Sequence, residues 1–208
     1  MRIVFKDEAF GEVKEISIII VINNRVLTRK MVRAGNCWLI DMDIPDGEHM
    51  YKYVINESLR FNDKDAYKYV RWKDGEVWSV LKVEGGQAGQ QAVRKPVITG
   101  YSMTPGVRYG QYCSNHIFNN TLDEKYSISV DVSELTDIHS VTAIWYREDG
   151  SVYHIEEQTI DCPQDNYIYT VNAVFWIDIP AILYDTGNNW TVEIYIDGAL
   201  KLSLIHIS

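Results

Sequence analysis

The side chains best suited to chemistry are few and scattered in this 208-residue chain. Cys113-Ser114-Asn115-His116 sets a cysteine and a histidine three positions apart, which is how a zinc site can begin. A tetrahedral site needs more ligands, and no second pair stands at that spacing, so a metal is not expected. The histidines are spread out: His49 and His154 fall in strand-like runs, His139 in a loop and His206 near the end. Acidic pairs such as Glu156-Glu157 and Asp41/Asp43 are common, but hydrolysis needs two carboxylates converging on one bond. In strands, neighbouring acids point to opposite faces or line a solvated one. No Gly-x-Ser-x-Gly elbow, phosphate-binding loop, dinucleotide fingerprint or Cys-x-x-Cys pair occurs. The expectation is a protein that is not an enzyme and holds no cofactor.

Cysteine and charge narrow the class further. Three cysteines, widely spaced, are not a disulfide framework. Cys37, beside Trp38, reads as a small buried residue, while Cys113 and Cys162 are the pair an oxidising compartment would join. Hydrophobic residues make up 46% and charged residues 24%, a balance typical of folded soluble proteins. No run approaches the ~18 apolar residues of a membrane helix. The longest, Ile16 to Ile22, contains Ser17 and stops at Asn23. The opening MRIVFKDEAF lacks the apolar core of a secretory signal, so a cytoplasmic address is expected, although a mature fragment would look the same. Net charge is −9, and all the excess acidity lies after Glu84. An acidic half repels polyphosphate and the neutral half has no dense basic stripe, so neither nucleic acid nor membrane is expected as a partner.

The elements that must position any site are strands. Fourteen Tyr and many Ile and Val alternate with polar residues between turn dipeptides, and no helical period persists beyond about two turns. In the first half the predicted strands are Glu12–Ile22, Val26–Val32, Cys37–Ile44, His49–Asn56, Tyr67–Arg71 and Glu76–Val83. Asn23-Asn24, Ala34-Gly35-Asn36, Pro45-Asp46-Gly47 and Lys73-Asp74-Gly75 separate them as turns. The stretch EGGQAGQQAVRKP, Glu84 to Pro96, has almost no large apolar residue and reads as a linker. Strands resume at Tyr126–Val132, Ser140–Arg147, Val152–Gln158, Tyr167–Phe175, Trp190–Ile196 and Leu200–Ile207. Asp149-Gly150 and Asp197-Gly198 read as type I′ hairpin turns. The fold class expected is all-β: two immunoglobulin-like β-sandwiches, residues 1–84 and an acidic 97–208, joined by a flexible linker over 85–96. Trp145 and Trp190 alternate as sandwich-core tryptophans do, and Trp176 is expected in that core as well, with a surface turn as the alternative.

Within the first unit, EISIIIVINN, CWLIDMDIPDGEHMYKYVINESLRFND and DGEVWSVLKV carry a resemblance. They are similar to the glycogen-binding domain of AMP-activated protein kinase β-subunits and to related early-set starch-binding modules, across about a third of the chain. The match is centred on IPDGEHMYKYVI. The resemblance implies an α-glucan as partner, held by two tryptophans, a lysine and an asparagine. The lysine falls on Lys52. Arg25 stands where the first tryptophan belongs, Leu59 where the second does, with Phe61 two places on, and Trp78 replaces the asparagine.

Alternation sorts the faces. Trp38, Ile40, Met42 and Ile44 share one side, and Tyr51, Tyr53 and Ile55 pack inward while Met50, Lys52 and Val54 point out. On the last strand Trp78, Val80 and Lys82 oppose Val77, Ser79, Leu81 and Val83. Lys52 and Trp78 are therefore expected together on an exposed surface. A sugar offers an apolar C–H face to an aromatic ring and a rim of hydroxyls to polar side chains. The candidate carbohydrate-binding residues are Lys52, Trp78, Phe61, Leu59 and Trp72. The alternatives are that Trp78 packs against the second unit and that Trp72 is edge-strand filler. The alternative function is a protein-interaction or assembly scaffold, with a protein partner or a homodimer, in which the sugar site has decayed.

Overall fold

The computed structural model describes residues 1–6, 13–89, 96–108, 111–112, 125–135, 137–162, 170–178 and 189–207. It is all-β, with antiparallel sheets and no helix among the described residues. The chain divides into two compact units: Met1–Val93 with Asp137–Ser140 and Ile196–Ala199, and the remainder.

Ten strands build the first unit: β1 (Arg2–Lys6), β2 (Ile16–Ile22), β3 (Arg25–Lys30), β4 (Val32–Ala34), β5 (Cys37–Asp41), β6 (Gly47–Ile55), β7 (Leu59–Phe61), β8 (Lys68–Arg71), β9 (Val77–Glu84) and β10 (Gln87–Ala88). One sheet runs β1-β5-β4; the other runs β10-β9-β6-β2-β3, with β7 paired to β6 and β8 to β9. The predicted face assignment places the core. Ile16, Ile18 and Ile20 are fully buried beside Tyr51, Tyr53 and Ile55, and each such isoleucine contributes about 1.5–3 kcal/mol of burial. From the smaller sheet Ile3, Phe5 and Trp38 are buried, and the Phe5 ring meets Tyr53 edge-on at 4.6 Å.

Local chemistry explains most boundaries. Asn23 and Asn24 turn β2 into β3 with both φ angles positive (52° and 61°), a conformation asparagine tolerates. The single strand predicted over Val26–Val32 is two. Met31 is buried and its amide donates to the Ile16 carbonyl at 2.8 Å, and this hands the chain from one sheet to the other. The Asp46 of Pro45-Asp46-Gly47 accepts hydrogen bonds from the amides of Gly85 and Gly86 at 3.0 and 3.2 Å. Those bonds convert the start of the predicted linker into a hairpin, with Gln87 and Ala88 paired to Glu84 and Val83. Residues 90–95 lie outside the described residues.

The second unit is made of β11 (Val97–Arg108), β12 (Gln111–Tyr112), β13 (Lys125–Ser133), β14 (Ile138–Tyr146), β15 (Val152–Asp161), β16 (Val171–Asp178), β17 (Asn189–Ile196) and β18 (Ala199–Ile207), the ends of β14, β17 and β18 at 138–140, 196 and 199 falling to the first. They form two four-stranded sheets, β12-β11-β13-β16 and β15-β14-β17-β18. Trp145 and Trp190 are buried as expected, with Tyr126 edge-on to Trp145 at 6.2 Å and Tyr153 edge-on to Trp190 at 4.8 Å. Burial pushes the Tyr126 hydroxyl up to about 12.

Four expectations about this half need correction. Trp176 is half-buried, because Ala173, Phe175 and Ile177 take the core face of β16 and leave it on the other. His139, read as loop, is a buried residue of β14. At Asp149-Gly150 only Gly150 has positive φ (79°), and its amide donates to the Arg147 carbonyl; this is a type I turn closed by a glycine bulge, not a type I′ turn. The strands β11 and β12 are not among the predicted ones, nor, in the first half, are β1, β7 and β10. The Asp197-Gly198 turn does carry two positive φ angles, 51° and 81°. Glycine is required there, since a Cβ at position 198 would collide with the Asn62 carbonyl.

Candidate functional site

Lys52, Trp78, Phe61, Leu59 and Trp72 do not form an open shelf. Antiparallel pairing of Ile55 with Leu59 and Tyr53 with Phe61 puts Leu59 and Phe61 on the core side, and Phe61 is 2% exposed. Lys52 and Trp78 do leave that side, as parity requires, yet they are only 1% and 5% exposed. The expectation that they present an indole and an ammonium to solvent is therefore overturned. Period-two alternation assigns a face; it does not say whether other residues cover the face.

What the outer face presents instead is built by the β8–β9 hairpin. In Trp72-Lys73-Asp74-Gly75-Glu76 the Trp72 amide donates to the Glu76 carbonyl at 2.8 Å and the Gly75 amide to the Trp72 carbonyl at 3.0 Å. Gly75 supplies the positive φ (87°), and the Asp74 carboxylate accepts the Glu76 amide at 3.0 Å. This turn fixes two side chains at once. The half-buried Trp72 ring lies 6.1 Å from Trp78, tilted by 48°, and the Lys73 ammonium sits 5.3 Å from the Trp72 ring centre. Glu76 bridges two cations, with one carboxylate oxygen 3.1 Å from Lys52 Nζ and the other 3.4 Å from Arg60 Nη1. Lys52 is thus a buried cation with a partly exposed counter-ion, a role opposite to a free hydrogen-bond donor for a ligand. Of the five candidates only Trp72 remains half-open, now accompanied by Arg60, Lys73 and Glu76. The WKDGE turn signal marked the hairpin, but sequence alone could not show which strand residue Glu76 would reach.

A second polar cluster lies within the first unit. One Asp63 carboxylate oxygen accepts hydrogen bonds from the Tyr51 and Tyr53 hydroxyls at 2.8 and 3.0 Å, and the other from the Asp65 amide at 2.9 Å. The Tyr69 hydroxyl donates to the Asp63 carbonyl at 2.8 Å, and the Asp63 amide donates to Ser79 Oγ at the same distance. The Ser79 hydroxyl donates to Asn62 Oδ1 at 3.1 Å, and Asn62 Nδ2 donates to Ser140 Oγ at 3.0 Å. Desolvation raises the Asp63 carboxyl, partly offset by these hydrogen bonds, and holds the Tyr51 and Tyr53 hydroxyls well above their ordinary range. Nearby, His139 Nδ1 and Asp197 Oδ2 are 2.6 Å apart, and Asp197 also accepts the Ser140 amide at 2.9 Å. With donors and acceptors matched in this way, the cluster organises loops.

Among the described residues no group of three His, Cys, Asp or Glu side chains is placed to hold a metal. Cys113 and His116 lie outside the described residues. Cys162 is a buried free thiol, and Cys37 is half-buried with its Sγ 3.4 Å from the Ala34 carbonyl. No helix among the described residues is long and apolar enough to cross a membrane.

Neither a protein-family model nor a curated protein matches the sequence. Among solved structures the chain is similar over its whole length to a Bacteroides uniformis β-glucuronidase, at a TM-score of 0.34 and 13% identity, covering 25% of that chain. It is likewise similar to a maltogenic amylase from S. marinus, at a TM-score of 0.31 and 12% identity, covering 28% of that chain. Both are carbohydrate-active enzymes by name, and the present chain spans about a quarter of each.

Proposed function

We propose that the chain is a non-enzymatic carbohydrate-binding protein whose sugar contact is centred on Trp72. The observation that carries this reading is the half-open Trp72 indole, backed by Trp78 and flanked within one hairpin by Lys73 and Glu76. An indole buttressed from behind gives a pyranose C–H face a rigid surface, and exposed Arg60 and Lys73 with the partly exposed Glu76 supply donors and acceptors for its hydroxyls. The similarity of IPDGEHMYKYVI to glycogen- and starch-binding modules supports an α-glucan as the ligand class. Glu76 is engaged by Lys52 and Arg60, which suits it to holding a hydroxyl and not to moving a proton. Titration of maltoheptaose and glycogen into the protein, followed by tryptophan fluorescence, is expected to show saturable binding at millimolar sugar that Trp72→Ala abolishes. No response in the native protein, or an undiminished one in Trp72→Ala, overturns the assignment.

A further inference from the structure

A different surface of the first unit fits a different kind of partner. Among the described residues β3 is the last strand of the larger sheet and β4 the last of the smaller one on that side, so both sheets end on consecutive strands of the chain. A terminal strand presents unpaired backbone N–H and C=O groups that another extended chain can meet. Here the ending is unusually open. Every residue of β3 except the half-buried Leu27 is exposed, all of β4 is exposed, and Val26 and Val32 stand 61% and 72% exposed.

The charge of this margin is one-sided. Between Glu15 and Asp41 the sequence has no acidic residue, while Arg25, Arg29, Lys30 and Arg33 all fall on β3 and β4. The registers place three of them. Arg25 lies opposite Ile22 and Arg29 opposite Ile18 in the core-facing row of β2, and Arg33 lies opposite Trp38 in that of β5. The three guanidinium groups therefore rim the side of the sandwich where both sheets end. Lys30, on the other face of β3, binds Glu15 at 2.8 Å. Lysines often guard a terminal strand against unwanted pairing. Guarding does not account for two bare valines or for a preference for arginine, whose planar fork matches carboxylates.

We infer that the β3–β4 margin is a docking edge for an extended, acidic polypeptide segment, which adds a strand to β3 and sets its carboxylates against Arg25, Arg29 and Arg33. Main-chain hydrogen bonds supply the affinity and the arginines the selectivity. Symmetric pairing of β3 with β3 of a second copy is disfavoured, because it would set cations opposite cations.

An acetylated octapeptide of alternating glutamate and threonine is the probe. Calorimetry at low salt is expected to show one site, weakened as ionic strength rises, and to show none for the matching lysine–threonine peptide. Amide hydrogen exchange is expected to slow at β3 when the acidic peptide binds. The double variant Arg25→Glu/Arg29→Glu is expected to bind at least about tenfold more weakly, with an unchanged melting temperature because both side chains are exposed. No binding of the acidic peptide overturns the inference. So does an oligonucleotide or sulfated polysaccharide that binds as tightly without slowing exchange at β3, since that would be a general polyanion surface. Concentration-dependent self-association that persists in the absence of any peptide binding overturns it as well.

Discussion

The two faces of the β6–β9 sheet are made by the same strands and follow the same alternation, yet they are solved by different chemistry. The face carrying Tyr51, Tyr53, Ile55, Leu59 and Phe61 is an apolar core with a polar inclusion built around the Asp63 carboxylate, Ser79 and Asn62. The opposite face buries Val80 and Trp78 too, but it also buries the Lys52 ammonium and ends in the half-open Trp72. Burial on the first face follows from apolar side chains seeking one another. On the second it requires a charge to be matched, and Glu76 supplies the match from a hairpin turn 24 positions away in sequence. The comparison teaches that a face read as outward is not thereby a surface.

The sharpest way to break the comparison is to truncate one large ring from each face. Phe61→Ala is expected to cost about 3–5 kcal/mol, the range for removing a buried aromatic ring. If the outer face is a second core, Trp78→Ala falls in the same range, measured by urea unfolding. A Trp78→Ala cost below about 1 kcal/mol, typical of exposed positions, would restore the open-shelf reading.

How far the sequence carries is visible in these same residues. Parity sufficed for Tyr51, Tyr53, Ile55 and Trp38, because each lies in a row of large apolar side chains that the opposing sheet covers. It failed for Lys52, because a lysine among apolar neighbours reads as solvated unless its counter-ion is known. Turn chemistry carried Asn23-Asn24 and Asp197-Gly198, where two consecutive residues need positive φ. It misread Asp149-Gly150, since the same dipeptide also ends a longer loop in which only the glycine is left-handed. The hairpin at Gly85-Gly86 was hidden because Asp46, 39 residues earlier, holds it. Of the candidate site, the Trp72 turn was legible and its ion pairs were not.

A milder perturbation asks whether the Lys52 charge needs its partner. Glu76→Gln keeps the shape and removes the anion. A buried cation left without its carboxylate destabilises strongly, but Glu76 is about a third exposed (37%), so solvent screening reduces the expected loss to about 1–2 kcal/mol. Replacing both partners, Lys52→Met with Glu76→Gln, is expected to recover most of it. A double variant as unstable as the sum of the single changes would show that Lys52 and Glu76 act independently.

The polar inclusion of the first face titrates. Burial raises the Asp63 carboxyl above its unfolded value, so the folded state holds that proton more tightly than the unfolded state does. The stability this contributes is fully present below about pH 4, the ordinary carboxylate range, and is lost as pH climbs through the raised value. Asp63→Asn, which cannot ionise, is expected to flatten the stability–pH profile upward from about pH 4. An unchanged slope in the variant would remove Asp63 from the pH response.

The smallest expected change in stability is also the one that separates the two faces by function. Trp72 is half-buried at a hairpin whose backbone bonds, Trp72 amide to Glu76 carbonyl and Gly75 amide to Trp72 carbonyl, do not depend on the indole. Trp72→Ala is therefore expected to cost no more than about 1 kcal/mol, a surface-like value, while Trp72→Phe keeps a flat apolar ring against Trp78. The informative readout is the divergence of the two measurements. In Trp72→Ala sugar binding is expected to vanish while the urea midpoint hardly moves, and in Trp72→Phe weakened binding is expected to remain. A large fall in stability with Trp72→Ala would make Trp72 part of the same packed layer as Trp78, and the outer face would then hold no surface suited to stacking a sugar.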